Sequence, residues 1–178
     1  MVDNLNLGKY RLLVIGSSSL SGSKLIEFLK NKGCIVYGVD LFTLNSPNSS
    51  HVLKIDLRNR NNIPLLMRIS QPDIIVFCHS LDEDSFSFVD YSYQIYYNLL
   101  SALVDFHELY WNNPDRKIVL CINKIGQSPT SPAEVNQLGM FRLTEIYTKK
   151  FNWKSFVLTN QNNLLKSVKR IIMDKEVL

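Results

Sequence analysis

Apolar residues in this chain gather in short runs. Aliphatic and β-branched clusters recur at 11–15, 34–39, 51–55, 73–78, 117–122 and 154–158, each the length of a strand rather than of a helix. Most of these runs do not alternate with polar positions, so both faces of each strand are destined for the interior. That is the pattern of a parallel sheet covered on two sides. Between most of the runs the apolar residues return at helical spacing instead: Leu20, Ile26 and Leu29, then Leu99, Leu103 and Phe106, then Leu138, Leu143 and Ile146. Strand and helix therefore alternate, which predicts a doubly wound α/β fold with helices on both faces of a parallel sheet. Pro64, Pro72, Pro114, Pro129 and Pro132 fall in connections or at element starts, and none interrupts a proposed strand. The Asn- and Ser-rich stretch 43–50 reads as a loop.

Composition adds limits rather than a new picture. With 178 residues, one domain can bury roughly 70% of its unfolded surface and needs no disulfide or metal staple. Cys34, Cys78 and Cys121 each lie in or beside an apolar run, where a reduced, buried thiol is the ordinary state. No apolar run approaches the ~20 residues that span a bilayer. Residues 1–10 lack the basic start and apolar stretch of a secretion signal, so the expected address is cytoplasmic, without a membrane partner. The net charge of +4, from 20 Lys+Arg against 16 Asp+Glu, implies no nucleic-acid partner. Cations cluster late in the chain, at Lys149, Lys150, Lys154, Lys166, Lys169, Arg170 and Lys175, opposed by Asp174 and Glu176; they read as a solvated face.

Candidate chemistry begins at the first strand, which runs straight into Gly16-Ser17-Ser18-Ser19-Leu20-Ser21-Gly22 and a helix over 23–32. Small residues in such a turn let the backbone approach a pyrophosphate, while the helix turns free amides and its positive end toward the anion. The second strand ends at Asp40, 24 residues after Gly16, near where a dinucleotide fold places a carboxylate on the adenosine ribose. A carboxylate there disfavours a 2′-phosphate, so NAD is the expected cofactor.

Gly16-x-x-Ser19-x-x-Gly22, Asp40, Asp56-Leu57-Arg58 and the run from Gln71 through Pro72 and Asp73 to Cys78-His79 together resemble the extended short-chain dehydrogenase/reductase family, the NAD-dependent epimerases and dehydratases. The resemblance runs from about residue 11 to residue 158. It implies a single Rossmann-like NAD(P)-binding domain over 1–178 with strand order 3-2-1-4-5-6. It also implies cofactor contacts from Gly16, Ser18, Ser19, Leu20, Gly22, Asp40, Asp56, Leu57 and His79, with Asp56 and Leu57 on the adenine. Ser19 stands where the family has a middle glycine, which places a side chain near the pyrophosphate path and lowers the expected affinity.

The family's proton-transfer pair, Tyr-x-x-x-Lys on the helix after the fifth strand, has no counterpart. Gln137 or Leu138 stands where tyrosine belongs, and Phe141 or Arg142 where lysine belongs; none of the eight tyrosines is followed by lysine four residues later. Lys124 and Arg142 remain as weak catalytic candidates. The spacing around His79 and Cys78 fits no zinc pattern, so no metal site is expected. Ser128 and Ser131 have no recognisable histidine base. Family members also continue into a substrate-binding region for which residues 159–178 leave room for only one helix. Apolar surface extends more than halfway round the segment 91–111, and in the resembled family this helix and the next, 132–151, pair across a twofold axis, so a homodimer is expected. Two function classes follow. One is a non-catalytic structural or regulatory protein, partnering a pathway enzyme. The other is an atypical NAD-dependent oxidoreductase or epimerase acting on a nucleotide sugar or similar small molecule.

Overall fold

Strands form where the β-branched runs lie. The computed structural model describes residues 10–40, 52–78, 86–105, 116–121, 129–158 and 164–173. Along the chain these give β1 (Arg11–Ile15), α1 (Leu20–Asn31), β2 (Ile35–Asp40), β3 (Val52–Lys54), α2 (Asn62–Ser70), β4 (Ile74–Phe77), α3 (Phe86–Asp105), β5 (Lys117–Cys121), α4 (Pro132–Phe151), β6 (Lys154–Leu158) and α5 (Leu164–Met173). The strands make one parallel sheet in the order β3-β2-β1-β4-β5-β6, as the alternation and the resemblance led one to expect.

Successive side chains of a strand point to opposite faces, and the core divides accordingly. Leu13, Ile15, Ile75, Phe77, Ile118 and Leu120 meet α2, α3 and α4 on one face. Leu12, Val14, Val36, Ile74, Val76 and Val119 meet α1 and α5 on the other. Each fully buried Leu or Ile contributes about 1.5–3 kcal/mol, so this two-sided burial holds the sheet between its helices. Cys34, Cys78 and Cys121 are buried within the second layer and form no disulfide.

Helix ends are set by local chemistry. α1 starts at Leu20, three residues ahead of the expected 23, because Ser19 is its cap. α4 begins Ser131-Pro132, with proline at a position where its missing N–H costs nothing. Ser131 Oγ accepts from the Glu134 amide at 3.3 Å, while Glu134 reaches back to the Thr130 amide and hydroxyl, a variant of the capping box. These bonds pull the Glu134 carboxyl below its ordinary pKa. α4 ends at Asn152, in the left-handed conformation with φ 54°. α3 begins at Phe86, five residues before the expected 91.

Basic side chains close the amino edge of the sheet. Arg11 donates through its guanidinium to Ser70 O, Ile69 O and the Tyr37 hydroxyl, and through its amide to Asp73 Oδ2. Lys117 Nζ donates to Ile171 O at 2.8 Å, at the carboxyl end of α5. The opposite, carboxyl edge is where a parallel sheet leaves room for ligands. Among the described residues no helix is long and apolar enough to cross a membrane.

Candidate functional site

β1 reaches the carboxyl edge at Gly16, whose φ of 80° is a left-handed conformation a side chain would strain. The Gly16 and Ser17 amides donate to Val39 O at 3.1 and 3.3 Å, and the Ser18 amide donates to Asp40 Oδ2 at 3.0 Å. The turn is thus laced to the last two residues of β2, with Asp40 buried beside it. How tightly it sits is visible at Gly38, where a Cβ would come within 2.8 Å of Ser17 Cβ and 2.9 Å of Ile26 Cδ1.

Ser19 is folded into this turn. Its backbone is extended, with φ −65° and ψ 157°, so the position has no conformational need for glycine. Its hydroxyl donates to Gly16 O at 2.7 Å and accepts from the Gly22 amide at 2.9 Å. Gly22 is a different case, because a Cβ there would come within 2.1 Å of Gly16 O. With Gly22 capped and Ser23 bonded to Ser19 O, the amides of Leu20 and Ser21 head the helix with no acceptor among the described residues. No acidic residue stands in the first turn of α1, so the positive end of its dipole is uncompensated by the helix itself. Two open amides at a positive helix end, next to a buried carboxylate, can hold an anion on one side and hydroxyl groups on the other.

Beyond β3 the chain turns through Asp56-Leu57-Arg58. Arg58 grips Asp56 through Nε to both carboxylate oxygens (3.0 and 3.2 Å), Nη2 to Oδ2 (2.7 Å) and its own amide to Oδ1 (3.0 Å). These hydrogen bonds hold the Asp56 carboxyl below the usual carboxylate range, and they use about all four acceptor positions a carboxylate has. Leu57 is buried. The sequence reading missed Asn98 of α3, which donates to Leu57 O and Arg58 O at 3.2 and 2.8 Å and so fixes the turn to the helix. Its signal was present: an amide side chain within the apolar run 95–100.

α4 presents Ala133, Gln137, Met140 and Thr144 inward. Of the two alignments for the family's catalytic pair, Gln137 with Phe141 therefore faces the core, Phe141 packing against it partly buried. Arg142 lies on the outer face, 64% exposed and paired with Glu145 at 2.7 Å. The phenol that does lie inside is Tyr96 of α3. Thr144 Oγ1 gives its proton to Met140 O at 2.7 Å, so in the 2.5 Å contact between Tyr96 and Thr144 the tyrosine must be the donor. Burial pushes the Tyr96 phenol well above its ordinary pKa. His79 and Lys124 lie outside the described residues, as do residues 43–50 and 122–128.

The comparisons with known proteins agree with this fold. Residues 12–121 match the model of the NAD dependent epimerase/dehydratase family. Among solved structures, the chain is similar to the UDP-glucose 4-epimerase of Thermus thermophilus in complex with NAD, at 18% identity and TM-score 0.67, over 84% of this chain and 54% of that one. It is also similar to the L-threonine dehydrogenase of Clostridium difficile, at 16% identity and TM-score 0.68, over 84% and 52%. A third is the dTDP-glucose 4,6-dehydratase of Bacillus anthracis in complex with NAD, at 16% identity and TM-score 0.64, over 82% and 53%. The chain spans about half the length of these structures. No curated protein sequence matches it.

Proposed function

This chain belongs to the NAD dependent epimerase/dehydratase family, and from that premise we propose that it is a dinucleotide-fold protein that binds NAD without catalysing the family's chemistry, acting as a structural or regulatory partner. The observation that carries the reading is the β1–α1 turn. Ser19 is accommodated inside it, and the Leu20 and Ser21 amides stay open. In this reading those amides hold the pyrophosphate, with Gly16, Ser18 and Gly22 shaping the turn. Asp40 meets the adenosine ribose, and Asp56 and Leu57 line the adenine end. NAD, when bound, supplies a nicotinamide ring able to take or give hydride.

In this reading the inward face of α4 offers no group to move the accompanying proton. Gln137 and Phe141 stand at the inward positions of α4 where the family uses tyrosine and lysine, and neither a carboxamide nor a phenyl ring titrates near neutral pH. A homodimer through α3 and α4 completes the proposal. Tyr97, Val135 and Ile146 are apolar side chains about half exposed on these two helices, and covering them is what a partner copy would do.

Calorimetric titration with NAD, NADH and NADPH tests the reading. The expected result is saturable binding of NAD and NADH, weaker binding of NADPH because Asp40 opposes a 2′-phosphate, and no hydride transfer to UDP-glucose or L-threonine. Failure of all three to bind at millimolar concentration contradicts the cofactor half. Turnover of either substrate contradicts the other half and favours the atypical oxidoreductase or epimerase.

A further inference from the structure

Cys78 and Cys121 come together across the sheet. β4 and β5 pair in parallel from Ile74↔Lys117 to Phe77↔Leu120, and the next step of that register sets Cys78 beside Cys121. The ladder holds to this point on either side: the Cys78 amide donates to Ile15 O of β1 at 2.8 Å, and Cys121 is still paired with Leu158 of β6. Both side chains join Val76 and Val119 in the layer under α1 and α5, so they leave the sheet on the same face. Register partners on neighbouring strands lie about 4.8 Å apart, inside the span of roughly 4.4–6.8 Å between the Cα atoms of a disulfide.

Distance along the chain does not select this pairing. Cys34 precedes Cys78 by 44 residues and Cys121 follows it by 43, so in the unfolded chain closing either loop costs nearly the same entropy. The fold separates the alternatives. Cys34 stands just before β2, at the amino edge of the sheet, whereas Cys78 and Cys121 stand at the carboxyl edge. The five residues of β1 lie between those edges and span about 16 Å, so Cys34 can reach neither.

We propose that Cys78 and Cys121 form a two-electron thiol centre, which a hydroperoxide oxidises to a disulfide and a thiol reductant restores. One sulfur, as thiolate, attacks an oxygen of hydrogen peroxide; the O–O bond breaks, the departing hydroxide takes up a proton as water, and a sulfenic acid is left. The neighbouring sulfur then attacks that sulfur, the S–O bond breaks, and the second oxygen leaves as water. Two thiols and one peroxide thus become one disulfide and two waters. Cys78 and Cys121 are 0% and 1% exposed, so the first step waits on brief opening of the strand ends. The same burial keeps a second peroxide away while the partner sulfur lies adjacent, which favours the disulfide over sulfinic acid. The Cα spacing is at the short end of the disulfide range, and a bond made away from its preferred geometry is readily reduced.

The test treats the full chain with hydrogen peroxide, once folded and once in urea, blocks the remaining thiols with N-ethylmaleimide in denaturant, and maps the unreduced peptides by mass spectrometry. In the folded protein the expected product links Cys78 to Cys121 within one chain and exceeds any link to Cys34 by at least about tenfold. Cys34 is recovered as the blocked thiol, and dithiothreitol restores the other two. In urea, links from Cys78 to Cys34 and to Cys121 are expected in comparable amounts. Cys34→Ser keeps the folded-state product, whereas Cys121→Ser, with its circular dichroism unchanged, loses it and carries sulfenic or sulfinic acid at Cys78. Recovery of all three cysteines as blocked thiols after peroxide would overturn the proposal. So would separate oxidation of Cys78 and Cys121 without a link in the wild type, or a folded-state link to Cys34 as abundant as the expected one.

Discussion

A single hydroxyl decides how the phosphate turn is read. Ser19 has the extended backbone of a helix cap and spends its side chain on Gly16 O and the Gly22 amide, so the replacement of a glycine leaves the first-turn amides of Leu20 and Ser21 accessible. Replacing the cap, as in Ser19→Ala, is expected to cost about 1 kcal/mol in urea unfolding, whereas Gly22→Ala forces a Cβ to 2.1 Å from Gly16 O and is expected to abolish the turn and NAD binding with it. At Asp56 the Arg58 hydrogen bonds depress the carboxyl pKa. A depressed carboxyl stabilises the fold above its unfolded value and loses that contribution as pH falls through its folded value. NMR titration is expected to place Asp56 below the ordinary carboxylate range, and Arg58→Ala to return it upward. The buried pair gives an asymmetric forecast. Tyr96→Phe leaves Thr144 still bonded to Met140 O, so about 1 kcal/mol is expected. Thr144→Val strands a buried phenol donor, and about 1–3 kcal/mol is expected by the same unfolding measurement. Gly16, Gly22 and Asp40 were legible as a strand–turn–helix and a strand end from their spacing together with their companion motifs. The direction of the Ser19 hydroxyl, the Arg58 grip and the Asn98 anchor were not, because each depends on which atoms the folded turn brings within hydrogen-bonding reach.

The six strands and most of the helices were legible to within about five residues because their signals are local, whereas α2 (Asn62–Ser70) was not among the expected helices. Two-sided apolar runs mark strands of a covered parallel sheet, and Leu138, Leu143 and Ile146 at helical spacing mark α4. Less legible was the contact between helices. Gly139 lies inside α4, and a Cβ there would lie 2.9 Å from Tyr93 Cε2 on α3. Alanine gains about 1 kcal/mol of helix propensity over glycine, and crowding a packed contact costs about 1–3 kcal/mol. The clash is the larger effect, so Gly139→Ala is expected to lower the thermal midpoint rather than raise it. The inward stripe of α4 likewise needed the structure to separate Gln137 and Phe141 from the outward Leu138 and Arg142 alignment, since a one-residue shift rotates a helix position by about 100°.

For the whole molecule, the doubly wound order β3-β2-β1-β4-β5-β6 puts the turn, Asp40 and the Asp56 turn on one side of β1, at the carboxyl edge of the sheet. Fold alone does not determine activity, and the proposal of a protein that binds NAD without turning it over rests on the turn and on the side chains of α4. The proposed dimer makes its own forecast. Light scattering is expected to give twice the chain mass for the wild type and a monomer for Tyr97→Glu, and a wild-type monomer would contradict it. The central claim, that the turn still holds a pyrophosphate, is met most directly by NMR of the backbone amides during addition of NAD. Saturable shifts concentrated at Leu20 and Ser21, absent with nicotinamide alone, are the predicted result. Unmoved Leu20 and Ser21 amides at millimolar NAD would contradict it.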